Sequence, residues 1–233
     1  MPGFKIHISA STTLGIAYGG TAFAVYHQPL ETSVLAAGLC AVSGMFPDFD
    51  SGPGRPLRES VTFGAAVVPM LLIDRFKHMG MSNDAMVLTG GLIYLAIRFG
   101  VAWILRHYSV HRGMFHSLPT ALIFSELAFL LCSSGGLPVR FFEAGAVMLG
   151  FLSHLILDEI WSIEWKGLRP HLKYTFGTAF KFWGPCMWSN ALTYVLMLAT
   201  TVVVFNDPIW SNESAAAQEA HEIASSLMQH LNR

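Results

Sequence analysis

The stretch FFEAGAVMLGFLSHLILDEI, residues 141–160, decides the fold and poses the functional question. It is long and apolar enough for a helix crossing a bilayer, which takes about 20 residues (range 17–25). Near its end stand His154 and Asp158, four positions apart and therefore on one helical face. Such groups are expensive near hydrocarbon, so their presence is a site hypothesis by default.

Working outward, six further apolar segments flank this one: about 8–26, 30–46, 60–74, 85–105, 117–133 and 189–206. Each is bounded by Pro, Gly or charge, and the segment 60–74 is short and carries Pro69. The composition agrees. The 233 residues are only 12% charged, against about 25% in a soluble domain. That is too little charge to cover a water-facing surface. The fold class expected is therefore all-α, a polytopic membrane protein of about seven transmembrane helices with a polar pocket open to the cytoplasm. Residues 1–206 form the membrane-embedded domain, and 207–233 are read as a soluble or interfacial helix. The amino-terminal apolar run follows Lys5 as a signal peptide would. It lacks a small-residue cleavage site, so it is read as a retained first helix.

A formal net charge of −1 gives no general affinity for nucleic acid. Cys40, Cys132 and Cys186 are far apart, and the first two lie inside apolar runs, which argues against a disulfide framework. Asn212-Glu213-Ser214 fits a glycosylation sequon, a triplet that arises often by chance.

Seven spans place the chain ends on opposite sides. Face one then carries Lys5, Arg55, Arg58, Arg106, Arg112, Lys166, Arg169, Lys173 and Lys181, whereas face two carries Arg75, Lys77 and Arg140. Nine against three is a positive-inside bias, and it assigns face one and the N-terminus to the cytoplasm and the C-terminus to the periplasm. The same count puts His7, Asp48, Asp50, His111, His116, His154 and Asp158 on that cytoplasmic face. These are the candidate metal ligands, though the agreement depends on segment 60–74 spanning.

Each motif also has a plainer reading. His154 and Asp158 suit two ligands of one ion, or equally a local His–Asp pair; the apolar surroundings, which make an unpaired carboxylate costly, favour the metal. In Pro47-Asp48-Phe49-Asp50, an extended backbone would project both carboxylates the same way, but turns favour Asp anyway. His111-Arg112-Gly113-Met114-Phe115-His116-Ser117 needs a bend at Gly113 to bring its histidines together. Arg112 can grip a phosphate with two parallel donors; otherwise the loop simply meets headgroups. Ser117 and Pro119 read as a helix start. His7 gains weight only through its shared face. Arg98 and Glu126 lie at similar depth and are expected to form an interhelical ion pair, with an ion pathway as the alternative. The aromatic and basic stretch 161–188 is expected to anchor at headgroup level.

In this order, the early His7, Pro47-Asp48-Phe49-Asp50, His111-Arg112-Gly113-Met114-Phe115-His116-Ser117 and His154 through Asp158 resemble a bacterial family. It is the family of LexA-binding, inner-membrane-associated metal-dependent hydrolases, and the likeness covers about residues 1–185. The resemblance implies a multi-span protein with a metal site and a hydrolase activity. It also suggests a cytoplasmic regulatory protein as partner. A more distant likeness to zinc-dependent phospholipase C is an analogy, since this chain lacks the amino-terminal Trp ligand of such enzymes.

The first functional expectation is therefore metal-assisted hydrolysis of a phosphoester near the membrane surface, with lipid phosphate as one substrate. Mixed His and carboxylate ligands suit Zn²⁺, with Mn²⁺ or Fe²⁺ as alternatives. Seven candidates allow one ion or a pair. Arg112 is the catalytic candidate, stabilising developing phosphate charge. The competing expectations are a structural metal site that docks a cytoplasmic regulator, and a transporter using Arg98 and Glu126.

Overall fold

A computed structural model describes residues 3–50, 55–104, 114–133, 135–166, 169–172, 177 and 180–211; within these, the side chains of residue 50, of 55–56 and of 164–172 lie outside the description. The fold is helical. Its helices are α1 (Phe4–Tyr26), α2 (Leu30–Ser43), α3 (Arg55–Leu71), α4 (Ile73–His78), α5 (Asn83–Leu95), α6 (Leu118–Leu131), α7 (Leu137–Trp161) and α8 (Met187–Phe205). A 3₁₀ segment, Phe46–Asp50, follows α2, and α5 continues through a π-helical stretch, Ala96–Val101. Between α7 and α8 the chain forms a short antiparallel hairpin of β1 (Ile163–Lys166) and β2 (Arg169–Leu172).

The apolar segments of the sequence are helical here, but among the described residues three helical stretches are long and apolar enough to cross a membrane: Asn83–Ile104, Leu137–Trp161 and Met187–Ser211. The expected seven spans are corrected to that extent. The reason is length and composition. α2 and α6 have 14 residues each, about 21 Å of helix against a hydrocarbon core of about 30 Å. α3 opens with Arg55, Arg58 and Glu59 and ends just after Pro69. α1 has 23 residues but is diluted by Ser, Thr and Gly.

Of the three long helices, α7 is the central one. Over half of its apolar window is buried (56%), against 6% for the α5 stretch and 11% for the α8 stretch. α1, α2 and α6 pack around α7. Between helices in lipid, where apolar tails compete with apolar side chains, small residues that permit close backbone approach hold the interface. α1 presents Ser11, Gly15 and Gly19 at four-residue spacing towards α2. A Cβ on Gly15 would sit 2.4 Å from the Ala37 carbonyl oxygen, and one on Gly150 of α7 would sit 2.0 Å from that of Cys40. Hydroxyls add cross-links: Ser11 Oγ donates to the Ala41 carbonyl at 2.8 Å and Tyr18 to that of Phe142 at 3.0 Å. Cys40 and Cys132 are fully buried free thiols, and Cys186 is free and exposed. α6 begins as read, with the Ser117 hydroxyl accepting from the Thr120 N–H at 3.4 Å.

Two polar clusters mark the two ends of this bundle. At one end meet the start of α1, the end of α2, the start of α6 and the end of α7. At the other, Asp207 joins Arg75 of α4 at 2.5 Å and Arg140 of α7 at 3.0 Å. The expected Arg98–Glu126 pair does not form. Glu126 accepts from Thr200 and, at 2.6 Å, from Thr201, both on α8, while the Arg98 guanidinium lies 5.7 Å from the Phe99 ring centroid. The cause is packing: α6 lies against α8, whereas the π-helical stretch lies against α3.

Candidate metal centre

α7 supplies the centre's fixed part. His154 is 1% exposed and Asp158 lies one turn further on the same buried face. The His154 Nδ1 is 2.7 Å from the carbonyl oxygen of Gly44, just past the end of α2. A carbonyl can only accept, so Nδ1 carries a proton, and in the neutral ring Nε2 keeps its lone pair. That Nε2 is buried without a hydrogen-bond partner. It faces carboxylate oxygens instead, Asp158 Oδ2 at 3.6 Å and Asp48 Oδ1 at 3.8 Å. A lone pair aimed at two anionic oxygens in a buried site leaves three acceptors facing one another, which a cation resolves.

His116, at the entry to α6, completes the arrangement. Its Nε2 lies 3.8 Å from Asp48 Oδ1 and 3.8 Å from Asp158 Oδ2. The four atoms thus form a figure whose four nitrogen–oxygen edges measure 3.6–3.8 Å. These are too long for hydrogen bonds. Ligands bound tetrahedrally at 2.0–2.2 Å stand about 3.3–3.6 Å apart, a spacing that each of these four edges approaches, although the four atoms do not all come within 4.8 Å of one another.

His7 of α1 stacks on His154, ring centroids 3.7 Å apart, and its Nε2 meets the other Asp158 oxygen, Oδ1, at 3.4 Å. Two three-residue groups can hold an ion, His7–His154–Asp158 and Asp48–His116–His154. They share His154, whose single free lone pair serves one ion at a time. The residues fit one ion held by Asp48, His116 and His154, with Asp158, itself met by His7, beside it.

Exposure shows where the centre is accessible. The Asp48 side chain is 25% exposed, against 0–7% for His7, His116, His154 and Asp158. Asp48 is placed by the 3₁₀ segment. This segment is not extended, so the expectation that Asp48 and Asp50 project alike loses its basis; the Asp50 side chain lies outside the described ones. His111 and Arg112 also lie outside the described residues. Five of the eight candidate side chains therefore converge, and they do so independently of any span count. Sequence reasoning missed the Gly44 carbonyl, a backbone atom with no residue signature, and the Arg75–Asp207–Arg140 cluster, whose arginines entered only as charges on one face.

A model of the family described as YdjM inner membrane protein matches residues 1–217. The chain belongs to that family. It is a membrane protein of the inner membrane, in keeping with its apolar helices. Comparison with curated proteins and with solved structures returns no match.

Proposed function

We propose that the centre holds one divalent transition-metal ion, Zn²⁺ by preference with Mn²⁺ or Fe²⁺ as alternatives, and that the protein hydrolyses a phosphoester at the membrane surface. The observation that carries this reading is the buried, partnerless Nε2 of His154, facing two carboxylates and shared by two groups that can hold an ion. An ion there would supply Lewis-acid activation of water and of a phosphoryl oxygen. The chain's own residues do the rest. Gly44 fixes the His154 tautomer, His7 orients Asp158, and the partly exposed Asp48 marks the side from which substrate arrives. Arg112, four residues before His116 in the sequence, is assigned to the developing charge on phosphate.

In this reading the protein passes the membrane several times, with the N-terminus and the metal end cytoplasmic and the C-terminus periplasmic. The helix ends support it, since the alternating helices put one polar cluster at each end of the bundle. Membrane lipids surround the helices, and direct contact with nucleic acid is not expected.

A second reading is a structural centre. A fourth protein ligand would close the shell, as in structural sites, and such a centre would stiffen a face that docks a cytoplasmic regulator, as the LexA-binding resemblance implies. The transporter reading rests on Arg98 and Glu126, which are partnered elsewhere.

One set of variants separates these readings. The purified protein is expected to carry about one metal ion per chain and to cleave a phosphodiester or lipid phosphate in a chelator-sensitive way. His154→Ala and Asp48→Ala lose metal and activity, whereas His78→Ala keeps both. Arg112→Ala keeps the metal and loses turnover. A full metal complement with no turnover across a broad phosphoester screen supports the structural reading instead. Equal metal content in His154→Ala and His78→Ala refutes the ligand set.

A further inference from the structure

Beside the metal centre lies a partly open apolar cavity of about 210 Å³ lined by α2, α3, the α5 stretch, α6 and α7. The 3₁₀ segment is the wall between the two. Residues three apart eclipse in such a helix, so Phe46 and Phe49 both face the cavity while Asp48, between them, faces His116 and His154. The lining follows α3 from Ser60, beside the metal end, to Leu71, a length of about 16 Å. At the near end sits one polar exception: the Ser60 Oγ is buried, lines the cavity and has no hydrogen-bond partner. A narrow apolar void stays dry and takes apolar guests, and a buried unpartnered hydroxyl seeks an acceptor.

We infer that this cavity holds the hydrocarbon chain of a lipid phosphate, with Ser60 meeting the polar linkage and the phosphate emerging beside Asp48. The substrate class of the proposed hydrolase is then a long-chain phosphoester, an inference that rests on that reading for its chemistry but on the cavity alone for its chain selectivity. The small pocket excludes bulky cyclic groups and rewards a single flexible chain. Each methylene held there strengthens binding about fourfold.

The test compares short-chain and long-chain alkyl phosphates on the metal-loaded protein in one detergent, by native mass spectrometry. The obstructing variant is Gly64→Leu, at a cavity-lining position where a Cβ meets nothing within 4 Å. Val68→Phe is the second, in case the first misfolds, and metal content reports folding. Wild type is expected to favour the long chain, and Gly64→Leu to lose about 250-fold of that preference, roughly four methylenes of space at about fourfold each. Because both proteins share the same micelles, partitioning cancels. A metal-replete Gly64→Leu and Val68→Phe with the wild-type chain-length preference overturns the inference, as does a wild type indifferent to chain length. Turnover of a water-soluble phosphoester in that indifferent protein leaves the hydrolase standing; long-chain binding without turnover leaves the cavity assignment standing and removes the hydrolase.

Discussion

Gly150→Ala is the smallest change that tests whether helix packing sets the metal centre. A Cβ at this position would lie 2.0 Å from the Cys40 carbonyl oxygen, 2.1 Å from Ser43 Oγ and 2.9 Å from the Cys40 carbonyl carbon. The hydroxyl can rotate away, but the α2 backbone cannot. Reaching even the 3.0 Å lower limit of real Cβ contacts parts α7 from α2 by about 1 Å, an overpacking that costs about 1–3 kcal/mol. His154 follows Gly150 by one turn on the same buried face. Its Nδ1 contact to Gly44, now 2.7 Å, would stretch by a similar amount and leave hydrogen-bonding range. Loss of such a partner behind a ligand typically lowers metal affinity 10–100-fold. The expected outcome is a protein still helical by circular dichroism, less stable to heat, and weakened in metal binding by about that factor in a chelator titration. Gly38→Ala on α2, where a Cβ meets nothing within 4 Å, is the control and should behave as wild type. If Gly150→Ala binds metal as tightly as Gly38→Ala, the close approach of α2 and α7 does not position the centre.

Asp207→Asn at the opposite end should lower thermal stability in detergent by the equivalent of about 3–5 kcal/mol, because two guanidiniums then face one neutral amide. An unchanged melting temperature would show that the cluster is not a staple between α4, α7 and the end of α8. For topology, a reporter fused after residue 206 should register in the periplasm and one within 161–188 in the cytoplasm; both on one side would break the alternating arrangement.

The parts of this fold that are legible in the sequence are those written in hydrophobic periodicity and punctuation. Segment 117–133 begins where Ser117 and Pro119 say it should, and the apolar run at 141–160 is the helix that carries His154 and Asp158. Their i, i+4 spacing survives into space because a helix is a local structure. Span number is not local in that sense. Whether α2 crosses a membrane depends on its 14 residues, and the apolar run that suggested more continues to residue 46, into the 3₁₀ segment that places Asp48.

The Arg98–Glu126 expectation fails for a related reason: equal depth says nothing about which helices touch. α6 meets α8, and Thr200 and Thr201 satisfy Glu126 without a cation. The metal centre combines both situations. Its residue types announce themselves, yet what singles out His154 is a backbone carbonyl at the end of another helix. That carbonyl comes within reach only because Ser11 and Gly150 let α1 and α7 close on the end of α2. The small residues that look like filler in the apolar runs are therefore what turns scattered His and Asp into a ligand shell.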